Sequence, residues 1–173
     1  MVARSRGVDI LAQGSGNPGA SNVARVLGSR WGALVFGLDA LKGAVPALVG
    51  LALDTRPGAY ILVSASVLGH MFPVTRRFRG GKGVATMGGA MLVLHPLTSL
   101  ILTGLWVVVR KTTGKASLAS VMITVGLPVG VVVEAVPVWE IVYVAALCTL
   151  VLVRHIDNIR RLIGRRELSA DHR

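Results

Sequence analysis

Two glycine-rich stretches carry the chemistry of this sequence: Gly14-Ser15-Gly16-Asn17-Pro18-Gly19-Ala20-Ser21-Asn22 and Gly80-Gly81-Lys82-Gly83, both near basic residues. Glycine lets the backbone turn with positive φ and bares its N–H groups, and bare amides that lead into a helix bind oxyanions. In the first stretch Gly14, Gly16 and Gly19 supply the turn, and Ser21 or Asn22 can cap a helix running through Val23 to Leu27. Arg25, one turn on, adds a charge that can fork onto a phosphate. In the second, Lys82 stands among Gly80, Gly81 and Gly83 at a helix start, placed to neutralise a phosphate or the charge developing on an acyl oxygen. It is not a Walker A loop, because Arg76 stands where its first glycine would be and Gly83 where it needs Ser or Thr.

Other polar residues have plainer readings. Arg76, Arg77 and Arg79 suit lipid head groups, and His70, just before Phe72-Pro73, reads as a capping or packing histidine. Asp39 and Lys42 are three apart on one helical face and can pair, which lowers the cost of charge inside an apolar segment, and the pair reads equally as structural or as a substrate contact. In the tail, His155, Asn158 and Leu162 share a helical face and Asp157 can bridge to Arg160 or Arg161. A basic helix held by anionic lipid accounts for those arginines but not for the aligned His155 and Asn158.

The elements that must position these residues are membrane helices. The chain has 173 residues, 53% of them hydrophobic, with a formal charge of +11, which fits neither a disordered tail nor an ordinary soluble domain. With 5% aromatic residues and no nucleic-acid motif, the basic charge points to membrane topology and acidic ligands rather than to nucleic acid. Cys148, the single cysteine, excludes a disulfide framework and reads as a packing residue, and the carboxylates do not cluster as metal ligands. No cleavable signal precedes the first apolar run. Apolar segments run from Trp31 to Leu53, Gly58 to Val74, Val84 to Leu94, Leu97 to Val109, Ser117 to Val133 and Val138 to Val153. This predicts an all-α, polytopic transmembrane bundle of about six spans, one domain over residues 1–173 with a polar tail over 168–173. The Val84 to Leu94 segment is too short to cross a ~30 Å hydrocarbon core alone. Six crossings place 17 of the 19 basic residues on one side, leaving Arg56 opposite and Lys42 within a span. The positive-inside rule makes that side cytoplasmic, so both glycine loops and the tail share one surface.

Taken in order, the three segments resemble one family, the PlsY membrane acyltransferases, which move a fatty acyl group from acyl phosphate to glycerol 3-phosphate. GSGNPGASNVAR is similar to its first motif, GHMFPVTRRFRGGKGVAT to its second and RHIDNIRRLIGRRE to its third, with LDALKGAVPAL and SLAS between them. The likeness runs from about Gly7 to Glu167. It implies an enzyme of bacterial phospholipid synthesis that forms 1-acylglycerol 3-phosphate and phosphate without a cofactor, on the cytoplasmic face of the cell membrane. It further implies that Ser15, Gly16, Asn17, Arg25, Lys82, Ser120, His155 and Asn158 line two phosphate subsites, with Glu167 a conditional addition. Acyl-CoA and acyl carrier protein would not be direct donors. The chain also lacks an HxxxxD pair, since Thr75, Leu100 and Arg160 stand five residues after His70, His95 and His155. The sequence departs from the family in three places. The family carries an apolar helix ahead of the first motif, whereas Met1 to Arg6 alone precede Gly7 here, so a downstream start or a defective form is expected. Ile156 stands where arginine is common, and Gly164 is one place earlier than the usual glycine.

In the expected mechanism the two glycine loops hold the donor phosphate, Arg25 and Lys82 neutralise charge, and the glycerol hydroxyl attacks the carbonyl directly. Its proton goes to His155 or to a substrate phosphate oxygen, the second being preferred. Ser15 as an acylated nucleophile has less support, because no triad order is present. The rival readings are a membrane carrier or channel for phosphate-bearing solutes and a lipid-binding scaffold. A one-sided site, with little opposite beyond Asp54, Arg56 and Glu134, favours chemistry over transport.

Overall fold

The computed structural model describes residues 2–53 and 55–169, so Asp54 and residues 170–173 of the polar tail lie outside the described residues. Two short helices, α1 (Val2–Ser5) and α2 (Ala20–Leu27), precede six longer ones: α3 (Ser29–Ala52), α4 (Arg56–Met71), α5 (Val84–Leu94), α6 (Pro96–Thr113), α7 (Ala116–Val133) and α8 (Val138–Val153). A last helix, α9 (Ile156–Ile163), leaves α8 at 61°. Among the described residues there is no strand.

All six apolar segments are helices. By length and composition three of them suffice to cross a bilayer, namely α3, the Arg56–Arg76 stretch and α7, and the bent pair of α8 and α9 makes a fourth. At about 1.5 Å per residue α5 is ~16 Å long, half of a span, and its break from α6 falls at His95-Pro96 as the proline dictates. The observed α6 outruns its apolar segment through Arg110-Lys111-Thr112-Thr113, because charged residues continue a helix into the interface. Gly114, at φ +67, stops it. A correction applies at α2. It starts at Ala20 with Gly19 in the N-cap position, so Ser21 and Asn22 lie inside the first turn and cap nothing.

The lipid-facing sides of α3, α6 and α7 expose large apolar residues such as Leu41, Leu48, Ile101, Val125 and Val129. The core between helices is built on small residues that let backbones approach. Gly43 of α3 lies against the Thr86 carbonyl of α5 and Gly89 of α5 against the Ala40 carbonyl of α3, each where a Cβ would collide. Around Tyr60, Val63, Val67 and Met71 of α4 the packing is fully buried.

At the end of the bundle away from the glycine loops, the polar residues bind one another. Arg56 Nε donates to Glu140 (2.9 Å), the Tyr60 hydroxyl donates to Glu140 (2.9 Å) and lies 2.6 Å from His95 Nε2, and His95 Nδ1–H donates to Glu134 (2.7 Å). Thr98 donates its amide to the same Glu134. This chain ties α4, α5, α6, α7 and α8 together just where the α5–α6 break would otherwise leave orphan polar groups.

Candidate active site

The first glycine loop is folded by one side chain. Buried Asn22 accepts the Ser15 amide (2.8 Å) and Arg25 Nη1 (3.1 Å) on Oδ1, and its Nδ2 donates to the carbonyls of Gln13 (2.9 Å) and Ile10 (3.3 Å). Gly14 turns at φ +59 directly against it, and a Cβ there would strike the Asn22 amide. Asn17 accepts the Gly19 amide at 3.0 Å, closing the turn into α2. The N-terminal turn of α2, with Gly19, Ala20 and Ser21, then faces a cavity.

The second loop is strapped from both sides. The C-terminal carbonyls of α4 have no helical partner, and Gly80 and Gly81 satisfy two of them. Gly80 donates to Met71 (3.1 Å) and Gly81 to His70 (3.2 Å). Arg154 Nη2 in turn donates to the Gly80 carbonyl (3.2 Å) while its guanidinium sits 5.4 Å from the Phe72 ring centroid. The expectation that this cradle offers bare amides is thus corrected for Gly80 and Gly81. Their glycine character serves close approach, since a Cβ on Gly81 would enter the His70 ring and one on Gly80 the α4 carbonyls. The donors left to the cavity are Lys82 and the first turn of α5, beginning at Gly83 with φ +86.

Lys82 is fixed through a chain of bonds. Its Nζ donates to Asn158 Oδ1, Asn158 Nδ2 donates to Glu167 (2.7 Å), and Arg161 Nε donates to the other Glu167 oxygen (2.9 Å). The turn after α9 makes this possible. Arg165 takes φ +54, and the amides of Arg165 and Arg166 return to the carbonyls of Leu162 (3.1 Å) and Arg161 (2.8 Å). This is a Schellman closure with arginine in the left-handed position that glycine occupies at least cost. With Gly164 one residue early, the turn still forms, on a residue that strains it. Arg25 Nε then donates to the Ser169 carbonyl (2.9 Å), binding the tail to the first loop.

Burial pushes Lys82 down to about 8, helped by the charge of Arg161 and opposed by Glu167. Burial likewise pushes His155 down to about 4, against the favourable bond to Val151. Neutral at physiological pH, His155 donates Nδ1–H to the Val151 carbonyl (2.7 Å), which leaves Nε2 as an acceptor. Ser120 donates to the Ala116 carbonyl (2.9 Å) and accepts Trp106 Nε1–H (3.1 Å).

These groups meet at one cavity of about 330 Å³. Ser15, Arg25, Lys82, His155 and Asn158 all line it, as do Asn17, Gly19, Asn22, Gly83, Ser120 and Glu167. Gly14, Gly16, Gly80 and Gly81 do not line it and shape the loops from behind. The cavity wall also holds Asp39, which the sequence left open between a structural pair and a substrate contact, and His70, which it read as capping or packing. Asp39 accepts Lys42 Nζ at 2.6 Å, the pairing their spacing predicts, and stands 3.6 Å from His70 Nδ1. No local spacing could signal that second contact, which joins two helices. Beyond the polar groups the cavity continues between apolar side chains of α5, α6 and α7.

A family model described as glycerol-3-phosphate acyltransferase matches residues 1–165. The glycerol-3-phosphate acyltransferase of Aquifex aeolicus (strain VF5) is 39% identical over 170 residues, covering 96% of this chain and 88% of the relative. That of Rubrobacter xylanophilus is 40% identical over 164 residues, covering 94% and 82%. Two crystal structures of PlsY, an integral membrane glycerol 3-phosphate acyltransferase, share the fold at 38% identity, each over 97% of this chain and 85% of the other. The TM-score is 0.92 for the glycerol 3-phosphate form and 0.86 for the lysophosphatidic acid form. A helical membrane fold, three motifs converging on one basic cavity and agreement along nearly the whole chain lead to one conclusion: the chain belongs to the glycerol-3-phosphate acyltransferase family.

Proposed function

We propose that this protein transfers a fatty acyl group from acyl phosphate to the sn-1 hydroxyl of glycerol 3-phosphate, releasing lysophosphatidate and inorganic phosphate. The observation that carries this reading is the continuity of a cationic pocket, held by Arg25 and Lys82, with an apolar shaft in a single cavity. Such a cavity suits a molecule with a phosphate at one end and a hydrocarbon chain at the other.

Acyl phosphate is already activated, so the residues need only orient it and hold charge. The glycerol hydroxyl oxygen bonds to the acyl carbon, the carbon–oxygen bond to phosphate breaks, and phosphate leaves with its charge held by Lys82 and Arg25. With its pKa near 4, His155 is a weak base, so a substrate phosphate oxygen rather than its Nε2 accepts the hydroxyl proton as the oxygen bonds to the acyl carbon. The convergence of the basic loops on this end supports a cytoplasmic site in a multi-pass bacterial membrane protein. Transport is disfavoured by the opposite end, where Arg56 is bonded to Glu140 and Glu134 to His95 rather than facing a solute.

The test is to incubate membranes containing the protein with palmitoyl phosphate and glycerol 3-phosphate. Lysophosphatidate and phosphate formed in equal amounts support the reading. Product from palmitoyl-CoA but not from palmitoyl phosphate would overturn the donor assignment.

A further inference from the structure

Below its polar end the cavity is a shaft walled by α5, α6 and α7, with Phe36 and Ala40 of α3 and Val151 of α8 also on its lining. On α5 the wall runs from Val84 to Leu92, about 12 Å, and on α7 from Ala116 to Leu127, about 16 Å, at 1.5 Å per residue. On α6 it runs in the opposite sense, from Trp106 to Ser99. Just beyond Leu92, Ser99 and Leu127, the residues Leu94, Thr98 and Val131 are buried in packed structure. Thr98 presses on Gly130, where a Cβ would strike its side chain, and bonds to Glu134, which is itself bonded to His95. The shaft therefore stops on a layer of hydrogen-bonded groups that a hydrocarbon end cannot enter without breaking paired polar contacts.

One residue of the wall is smaller than packing requires. Gly88 sits in the middle of α5, where glycine weakens a helix relative to alanine. Its neighbour Gly89 must be glycine, because a Cβ would collide with the Ala40 carbonyl. A Cβ on Gly88 would meet nothing within 4 Å, and no positive φ demands glycine there. Gly88 lines the cavity and is exposed, so the position is open to a larger side chain.

We propose that Gly88 and Leu127 set the length of acyl chain the enzyme accepts, Gly88 by keeping the shaft clear midway and Leu127 by closing its end. This rests on the reading that the shaft holds the donor's acyl chain. A side chain at position 88 admits short chains and blocks long ones, and a smaller residue at 127 deepens the shaft.

The experiment compares kcat/KM for octanoyl and palmitoyl phosphate, with glycerol 3-phosphate fixed, in the original protein, Gly88→Phe and Leu127→Ala. Gly88→Phe is expected to lower the palmitoyl-to-octanoyl ratio by ~10- to 200-fold, the range a hydrophobic pocket gains or loses on small changes of fit. Leu127→Ala is expected to raise it. A ratio unchanged in both variants overturns the proposal. Should Gly88→Phe be inactive with both donors, an unchanged ratio in Leu127→Ala overturns it alone. Failure of the original protein with every acyl phosphate would instead refute the donor reading itself.

Discussion

Lys82 makes the sharpest prediction, because the proposed mechanism gives it a charge-holding task and its burial lowers its pKa. In that mechanism its charge holds the leaving phosphate, and burial with Arg161 lowers its pKa from 10.5 to about 8. A lysine loses its charge as pH rises through its pKa, so kcat/KM should break downward near pH 8 and stand at about a tenth of its plateau at pH 9. An ordinary lysine would hold the plateau about two units longer. Phosphate groups, with second pKa values near ~6, are already ionised throughout this window. Two substitutions should move the break in opposite directions. Arg161→Gln removes a like charge and frees Glu167, raising the break, whereas Glu167→Gln removes the opposing carboxylate and lowers it. The assay is lysophosphatidate formation in vesicles at constant ionic strength, corrected for hydrolysis of acyl phosphate in protein-free vesicles. A break that stays in place in both variants would refute the assignment of this ionisation to Lys82.

Three other outcomes follow from the same contacts. Arg154→Leu removes the strap on Gly80 and should cut kcat by ~100-fold through misplacement of Lys82, with insertion into membranes unchanged; full activity would show that the α4 bonds hold the loop alone. Asn22→Leu leaves the Ser15 amide and two loop carbonyls without their partner, and should abolish turnover and open residues 10–19 to proteolysis, which limited digestion with a protease of broad specificity would read as new cuts within that loop. Arg165→Gly relieves a left-handed arginine and should stabilise the folded tail by about 1 kcal/mol, seen as a higher thermal midpoint in detergent with turnover retained.

The helices were legible because composition writes them directly. Six apolar runs became six helices, and Pro96 and Gly114 set two of the boundaries. The Asp39–Lys42 pair and the aligned His155 and Asn158 could be read from helical spacing, since three- and four-residue intervals bring side chains to one face. What spacing could not reveal is where backbone donors go. Glycine loops look alike whether their amides face a ligand or a neighbouring helix, and only the position of α4, ended by Phe72-Pro73, shows that Gly80 and Gly81 are taken. Asn22 was equally hidden. It was read as a cap for α2, but its bonds run back to Ile10, Gln13 and Ser15. The contact of Asp39 with His70 joins helices through tertiary packing, to which local periodicity is blind.

The bond from Arg25 to the Ser169 carbonyl spans 144 residues of sequence. During synthesis at about 5–20 residues per second, the first loop therefore waits on the order of 10 s for the backbone that completes its mouth. Each nascent chain enters the membrane with its helices assembling before its substrate pocket does. Newly made protein should thus stay silent on the ribosome until Ser169 has emerged to meet Arg25.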